Sequence, residues 1–281
     1  MSNSKEVLAV IPPEDCASEI YFDNGQLPSV KTLGIVWKAE EDAFSFTSSS
    51  RESSEKHTKR TFLSMIASVF DPMGMLVPFV IRAKMLLQEV WLAGQAWNVE
   101  LPEELARKVD AGRAELERVS QIRVPRCLRP KGEITNISLH VFSDASENAY
   151  ASVVYLRAEA SDATVTIRQV VSKSNVAPLK TASIPRLELL GAVLSARIAP
   201  SIAKTLGIDG KSISYWSDSK NVLWWISRRS RTLKTFVANR GAIIQQLSNT
   251  LQWRYVGTKE NPVDISTRGM KIDELAANTF W

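Results

Sequence analysis

Four carboxylates in the second half of this 281-residue chain stand where they could act together. Asp144 ends the apolar run in "SLHVFSDAS", and Asp218 ends another in "SISYWSDSK". Glu188 lies between them in "IPRLELLGA", and Asp264 follows in "ENPVDISTRG". Ligand sites on open α/β sheets gather at the ends of central strands, which is where both aspartates fall. Asp264 is expected in the first turn of a helix, where the helix dipole favours a negative charge. Each acid alone has an ordinary alternative, as a helix or turn cap or as a solvated helix residue. Together and unpaired, four acids at one end of a sheet repel strongly. Divalent cations remove that cost, and an all-oxygen donor set suits Mg²⁺ or Mn²⁺. Two such ions, about 4 Å apart, clamp the attacking water and the leaving oxygen of an in-line phosphoryl displacement.

The charge pattern fits a polyanionic substrate. Net charge is +5 with a sequence pI of about 9.2. No acidic residue occurs between Ser219 and Lys259, while Lys220, Arg228, Arg229, Arg231, Lys234, Arg240, Arg254 and Lys259 all do. A solvated basic helix is the plain alternative. Lys180 and Arg186, beside Glu188 in the chain, are further candidates for phosphate contact. Trp216, Trp224, Trp225 and Trp253 read first as core aromatics and second as base-stacking surfaces.

These residues need strands and helices to hold them. Alternation predicts strands at 137–143, 149–157 and 164–172, with a tight turn at 145–148. A helix is expected over 187–206, with Pro185 in its first turn. Its core stripe is expected to be Leu187, Leu190, Leu194 and Ile198. Glu188 shares the neighbouring strip with Gly191, Ala192 and Ser195, whose small side chains would let the helix approach the sheet closely. A fourth strand at 212–217, helices at 220–228 and 233–248, a fifth strand at 251–256 and a last helix complete a mixed five-stranded α/β sheet. The N-terminal half reads differently. Residues 45–60 form a Ser-rich polar loop, and helices are expected at 61–69, 75–96 (adjusted at Pro78) and 102–119. A Pro-rich connector near 124–134 marks the domain boundary.

"VFSDAS", "PRLELLGA", "YWSDSKNVLWWI" and "ENPVDISTRG" resemble the ribonuclease H domain of retrotransposon polyproteins, in particular the BEL/Pao group. "KTLGIVW", "TKRTFLSMIASVFDPMGMLVPFVIRAKMLLQEVW" and "VPRCL" resemble the segment joining a reverse-transcriptase palm to that domain. The resemblance implies a C-terminal RNase H-like mixed sheet with flanking helices, preceded by a mainly helical thumb/connection-like region. It divides the chain into a palm-like end and polar loop (1–57), the helical region (58–130) and the RNase H-like domain (131–281). It further implies hydrolysis of the RNA strand of an RNA–DNA hybrid with two Mg²⁺ or Mn²⁺ ions held by Asp144, Glu188, Asp218 and Asp264. The hybrid-binding area corresponds to residues 228–240. An upstream palm and a downstream integrase of the parent polyprotein are the implied partners.

Two departures stand out. Many ribonucleases H carry a His shortly before the last Asp, and here Thr258 occupies that place, with Lys259 or Glu260 as substitutes. No adjacent Asp–Asp pair occurs, so polymerisation is not expected of this chain. Proteolysis is not expected either, although this family segment has been labelled a Pao retrotransposon peptidase. No Asp-Thr-Gly or Asp-Ser-Gly surrounds the acids, and His57 and His140 are the only histidines for a Ser–His–Asp triad. The alternative of a different class is a catalytically inactive, retrotransposon-derived fragment that binds nucleic acid. With neither a signal peptide nor an apolar run of membrane length, an intracellular location, cytoplasmic or nuclear, is expected.

Overall fold

A computed structural model describes residues 10, 29–32, 35–47, 56–130, 132–180, 182–278 and 281. Cys16 and most of the Ser-rich stretch after Thr47 lie outside the described residues. The chain divides into two compact units, Met1–Pro72 with Gly94–Cys127 and Met73–Ala93 with Leu128–Trp281.

In the first unit, strands β1 (Ser29–Thr32), β2 (Ile35–Lys38), β3 (Ala43–Phe46) and β4 (Val124–Pro125) form an antiparallel sheet in that order. Among the described residues its α-helices are α1 (Lys59–Ala67) and α3 (Glu103–Leu116). Sequence reading had expected helices here but not the sheet. Strands of four residues or fewer are too short for a period-2 pattern to register. Two of the family-like motifs meet in it. The Arg126 guanidinium stands over the Trp37 ring at 5.2 Å, and its Nε lies 2.6 Å from Asp42 Oδ1. That hydrogen bond holds the Asp42 carboxyl below its usual range, against the opposing effect of burial.

The second unit contains the long strands. β5 (Ile134–Ala145), β6 (Ala149–Ala160) and β7 (Val165–Val176) make an antiparallel meander. β8 (Ile213–Ser217) and β9 (Trp253–Tyr255) add to it in parallel, giving the order β7-β6-β5-β8-β9. The expected mixed five-stranded sheet is therefore present; its three meander strands run further than alternation indicated, whereas β8 and β9 are shorter than the expected 212–217 and 251–256. Helices α4 (Ile184–Leu206), α5 (Lys220–Ser227), α6 (Thr235–Leu247), α7 (Asp264–Arg268) and α8 (Ile272–Ala276) follow in chain order.

Helix α4 packs against β5 and β6, but of the stripe expected only Leu187 is fully buried. Leu189, Ala192, Ser195, Ala196 and Ala199 are fully buried, whereas Leu190, Leu194 and Ile198 are only partly so. The small residues face the sheet because the helix comes too close for large ones. A Cβ on Gly191 would meet the Asp144 carbonyl oxygen at 3.0 Å and that of Ala151 at 3.3 Å. Ser195 and Ser152 close the same contact with their hydroxyls 2.6 Å apart. Among the described residues α4 is also the one helix long and apolar enough to cross a membrane, which no apolar run had suggested. Its role as a core helix accounts for that composition.

Helix α2 (Val77–Leu92), expected with the helical region before residue 130, packs within the second unit. Pro78 sits in its first turn, where a missing N–H costs nothing, so the helix is not perturbed midway. The segment leading into it covers the edge strand. Ser172 N–H donates to the Met73 carbonyl at 2.9 Å, and Gln88 Nε2 donates to the Ala177 carbonyl at 2.8 Å. Gly74, at φ +70°, has no room for a Cβ against the Ser172 carbonyl.

Replacing Gly191 with Val forces α4 away from the backbone carbonyls it rests on. We expect Gly191→Val to lower unfolding stability by about 1–3 kcal/mol in a denaturant titration, despite removing a helical glycine.

Candidate active site

Strand register brings the first two carboxylates together. Ser143 on β5 is the parallel neighbour of Ser217 on β8, so Asp144 and Asp218 follow side by side one residue later. Asp144 is buried, and burial first, then the negative charge of Asp218, pushes its carboxyl up to about 7. The Thr267 hydroxyl opposes this, lying 2.9 Å from Asp144 Oδ2 and equally close to the Asp264 carbonyl. Among the described residues, Asp218 Oδ1 is buried with no hydrogen-bond partner. Asp218 does not cap α5. Ser219 takes that position and accepts from Val222 N–H at 3.3 Å.

Ser219 has a second task. Its hydroxyl donates to Glu188 Oε2 at 2.6 Å, tying the helix α4 carboxylate to the end of β8. Glu188 is half-buried, and burial followed by the Asp218 charge raises its carboxyl above the usual range against that hydrogen bond. Asp264 is the first residue of α7, with Val263 rather than itself at the cap position. Arg268, one turn on, places Nε 2.7 Å from Asp264 Oδ1. Helix α7 is anchored by Ser146, whose hydroxyl donates to the Thr267 carbonyl at 2.8 Å, and by its fully buried Ser266 and Thr267. Asp264 adds to the negative field on Asp144. Thus the electrostatic links Asp144–Asp218, Asp144–Asp264 and Glu188–Asp218 connect all four acids.

The donor set fits a divalent cation chemically. It offers oxygen alone, one carboxylate oxygen is buried without a donor among the described residues, and one acid is pushed toward its neutral form by burial and then by its acidic neighbours. Among the described residues, no three Asp, Glu, His or Cys side chains are already closed around a common metal position. Ser219, Thr267 and Arg268 were missed in the sequence. Only Arg268 left a signal there, as the i+4 neighbour of Asp264.

Neither histidine has, among the described residues, both the carboxylate and the hydroxyl partner of a triad base: His57 has Asp110 on Nε2 but no partner on Nδ1. His140 is half-buried; Trp216 Nε1 donates to its Nδ1 at 3.2 Å, and its Nε2 lies 3.2 Å from Ser138 Oγ. With a Trp donor where a triad needs a carboxylate, His140 is structural. Burial, then nearby arginines, lower its affinity for a proton. His57 Nε2 contacts Asp110 at 3.1 Å in the first unit.

Of the basic candidates, Lys180, Arg186, Lys220, Arg228, Arg229, Arg231 and Lys234 are exposed, and Arg240 is half-buried. Among the described residues none of them has an ion-pair partner. Several rest on aromatic faces instead. Arg228 lies 5.1 Å from the centre of the exposed Trp224 ring, Lys220 5.4 Å from Tyr255, and Arg186 and Arg240 share Phe236 at 5.2 and 3.7 Å. Trp253 is buried against Tyr215, and Trp216 is stacked with His140 and Phe142, so Trp224 is the exposed one of the four tryptophans considered.

A five-stranded mixed sheet, with a helix carrying an acid across two strands that end in acids, is an RNase H-like architecture. The chain belongs to the Pao retrotransposon-like RNaseH-like domain family, whose model matches residues 58–219. That span includes Asp144, Glu188 and Asp218 and ends before Asp264. A comparison with curated protein sequences finds no match. Among solved structures, the chain is similar to the N-terminal RNase H domain of a Mycobacterium tuberculosis protein, with 13% identity over 54% of this chain and 98% of that one (TM-score 0.31). RNase H1 of Halobacterium salinarum matches with 14% identity over 43% of this chain and 87% of its own (TM-score 0.27). The foamy viral protease-reverse transcriptase in complex with dsDNA matches with 14% identity, over 82% of this chain and 45% of that one (TM-score 0.44).

The raised carboxyl of Asp144 sets a direction for stability. Its affinity for a proton is higher folded than unfolded, so its contribution is full below about pH 4 and is lost as the pH rises through about 7. In chelator at pH 8, Asp144→Asn should therefore be more stable than the wild type by roughly 1–2 kcal/mol and unfold at a higher temperature, and the two should converge near pH 4. A thermal melt series across that range measures it.

Proposed function

We infer that this chain is a divalent-metal-dependent nuclease that hydrolyses the RNA strand of an RNA–DNA hybrid. The observation that carries this reading is the buried, unpartnered Asp218 Oδ1 beside Asp144 at the ends of two parallel strands. Membership of an RNase H-like family supports it. Asp144, Glu188, Asp218 and Asp264 are the residues that would hold two Mg²⁺ or Mn²⁺ ions. When bound, such ions supply an activated water and charge stabilisation at the leaving oxygen.

The chain's own side chains do the positioning. Ser219 fixes the Glu188 carboxylate, Thr267 fixes that of Asp144, and the floor beneath them is the close contact of α4 with β5. Lys180, Arg186, Lys220, Arg228, Arg229, Arg231, Lys234 and Arg240 are placed by this reading along the phosphate backbone, with their charge uncompensated by acids. The exposed Trp224–Arg228 pair offers a flat surface for a base or sugar. In the parent polyprotein the chain would work between a polymerase palm and an integrase.

The test is cleavage of a labelled RNA–DNA hybrid with Mg²⁺ or Mn²⁺. The wild type should cut the RNA strand alone, and Asp218→Asn should lose about a hundredfold or more in rate while binding the hybrid as tightly. If neither protein cuts and both bind equally, the chain is an inactive nucleic-acid-binding fragment. In the binding assay, Arg228→Ala should weaken hybrids of any sequence alike and reduce the slope of log affinity against log salt by about one.

A further inference from the structure

Asp264 differs from the other three carboxylates in what it touches. Asp144 and Glu188 each receive a neutral hydroxyl, from Thr267 and Ser219, and Asp218 Oδ1 receives nothing. Asp264 meets a full positive charge, with Arg268 Nε 2.7 Å from its Oδ1. Asp264 is the acid that Arg268 meets directly, and the more distant Asp144 contributes only a lesser attraction on the guanidinium. Nothing else in that group is cationic.

The pair is built to be both present and displaceable. Helix α7 is five residues long and ends at Gly269, with φ +84°, so Arg268 is fixed as the last helical residue one turn from Asp264. The backbone beneath it is immobilised by buried Ser266 and Thr267. The Arg268 side chain itself is 67% exposed, against 33% for Asp264, and an exposed i,i+4 ion pair is weak. Its guanidinium can leave the carboxylate without disturbing α7.

We propose that Arg268 is a tethered counter-ion of the acidic site, which occupies Asp264 until a divalent cation displaces it. This rests on the metal-dependent reading given above. Arg268 touches a carboxylate rather than any reacting atom, so it is a positioning residue. Its effect is to set the cation concentration at which Asp264 joins the other acids, by competition for the same oxygen. A plain helix-stabilising pair would leave cation binding unaltered on removal.

The experiment follows the unfolding midpoint of the full chain against MgCl₂, and separately MnCl₂, after chelator treatment and at constant ionic strength. Wild type, Asp218→Asn, Arg268→Gln, Arg268→Lys, Asp264→Asn and the Asp264→Asn/Arg268→Gln double variant are compared. Arg268→Gln should reach half-saturation at about two- to fivefold lower Mg²⁺ than wild type, with Arg268→Lys in between. The gain should vanish when Asp264 is already Asn. A half-saturation in Arg268→Gln equal to or above that of wild type overturns the proposal, as does a gain that survives without Asp264. Those outcomes leave the metal reading standing, provided Asp218→Asn abolishes the cation-dependent shift. If wild type shows no shift that Asp218→Asn removes, the metal reading fails and the proposal with it.

Discussion

Asp144 and Asp218 lie side by side because the strands that end in them run parallel and in register. The β5–β8 ladder runs as far as Ser143 and Ser217, so the backbone sets the two acids at adjacent positions just beyond it. Much of the surrounding chemistry answers to that constraint. Asp144 is driven toward its neutral form, Thr267 donates to one of its oxygens, and Arg268 pairs with Asp264. Asp218 is left with an oxygen that nothing in the described structure satisfies. A buried acceptor without a donor is costly, and sites that tolerate it are commonly functional ones.

The acids can converge only because α4 comes very close to the sheet. Glu188 reaches the strand ends from a helix whose inner face is made of Gly191, Ala192, Ser195, Ala196 and Ala199. Larger residues on that face would lift the helix, and with it Glu188, away from Ser219. The aliphatic side chains at Leu190, Leu194 and Ile198 flank the contact rather than form it. In this fold, catalytic geometry and core packing therefore share one face of one helix.

Much of this was legible in the sequence, for identifiable reasons. Asp144 and Asp218 end β-prone runs, and the small-residue strip around Gly191 indicated a close helix contact. The error over which stripe is deepest came from ranking residues by hydrophobicity when interhelix-to-sheet distance was deciding. The β1–β4 sheet gave no pattern, since its strands are four residues or fewer. Ser219 was overlooked, because nothing in its surroundings along the chain reveals that its hydroxyl holds Glu188, 31 residues away. Thr267 was hidden for the same reason, its partner Asp144 being 123 residues distant. The sequence indicated the helix α2 but not the unit it packs in.

The placement of α2 has a consequence for how the gene can be cut and joined. The chain enters the second unit at Met73, leaves it at Ala93 and returns at Leu128. A recombination event in the Pro-rich connector would carry away the strands and the acids but leave behind the segment that shields the β7 edge. The severed piece would present a row of unpaired backbone groups to its neighbours, the usual invitation to aggregate. Descent should therefore favour inheritance of residues 73 onward as one block, with the polar and helical insert of the first unit travelling inside it.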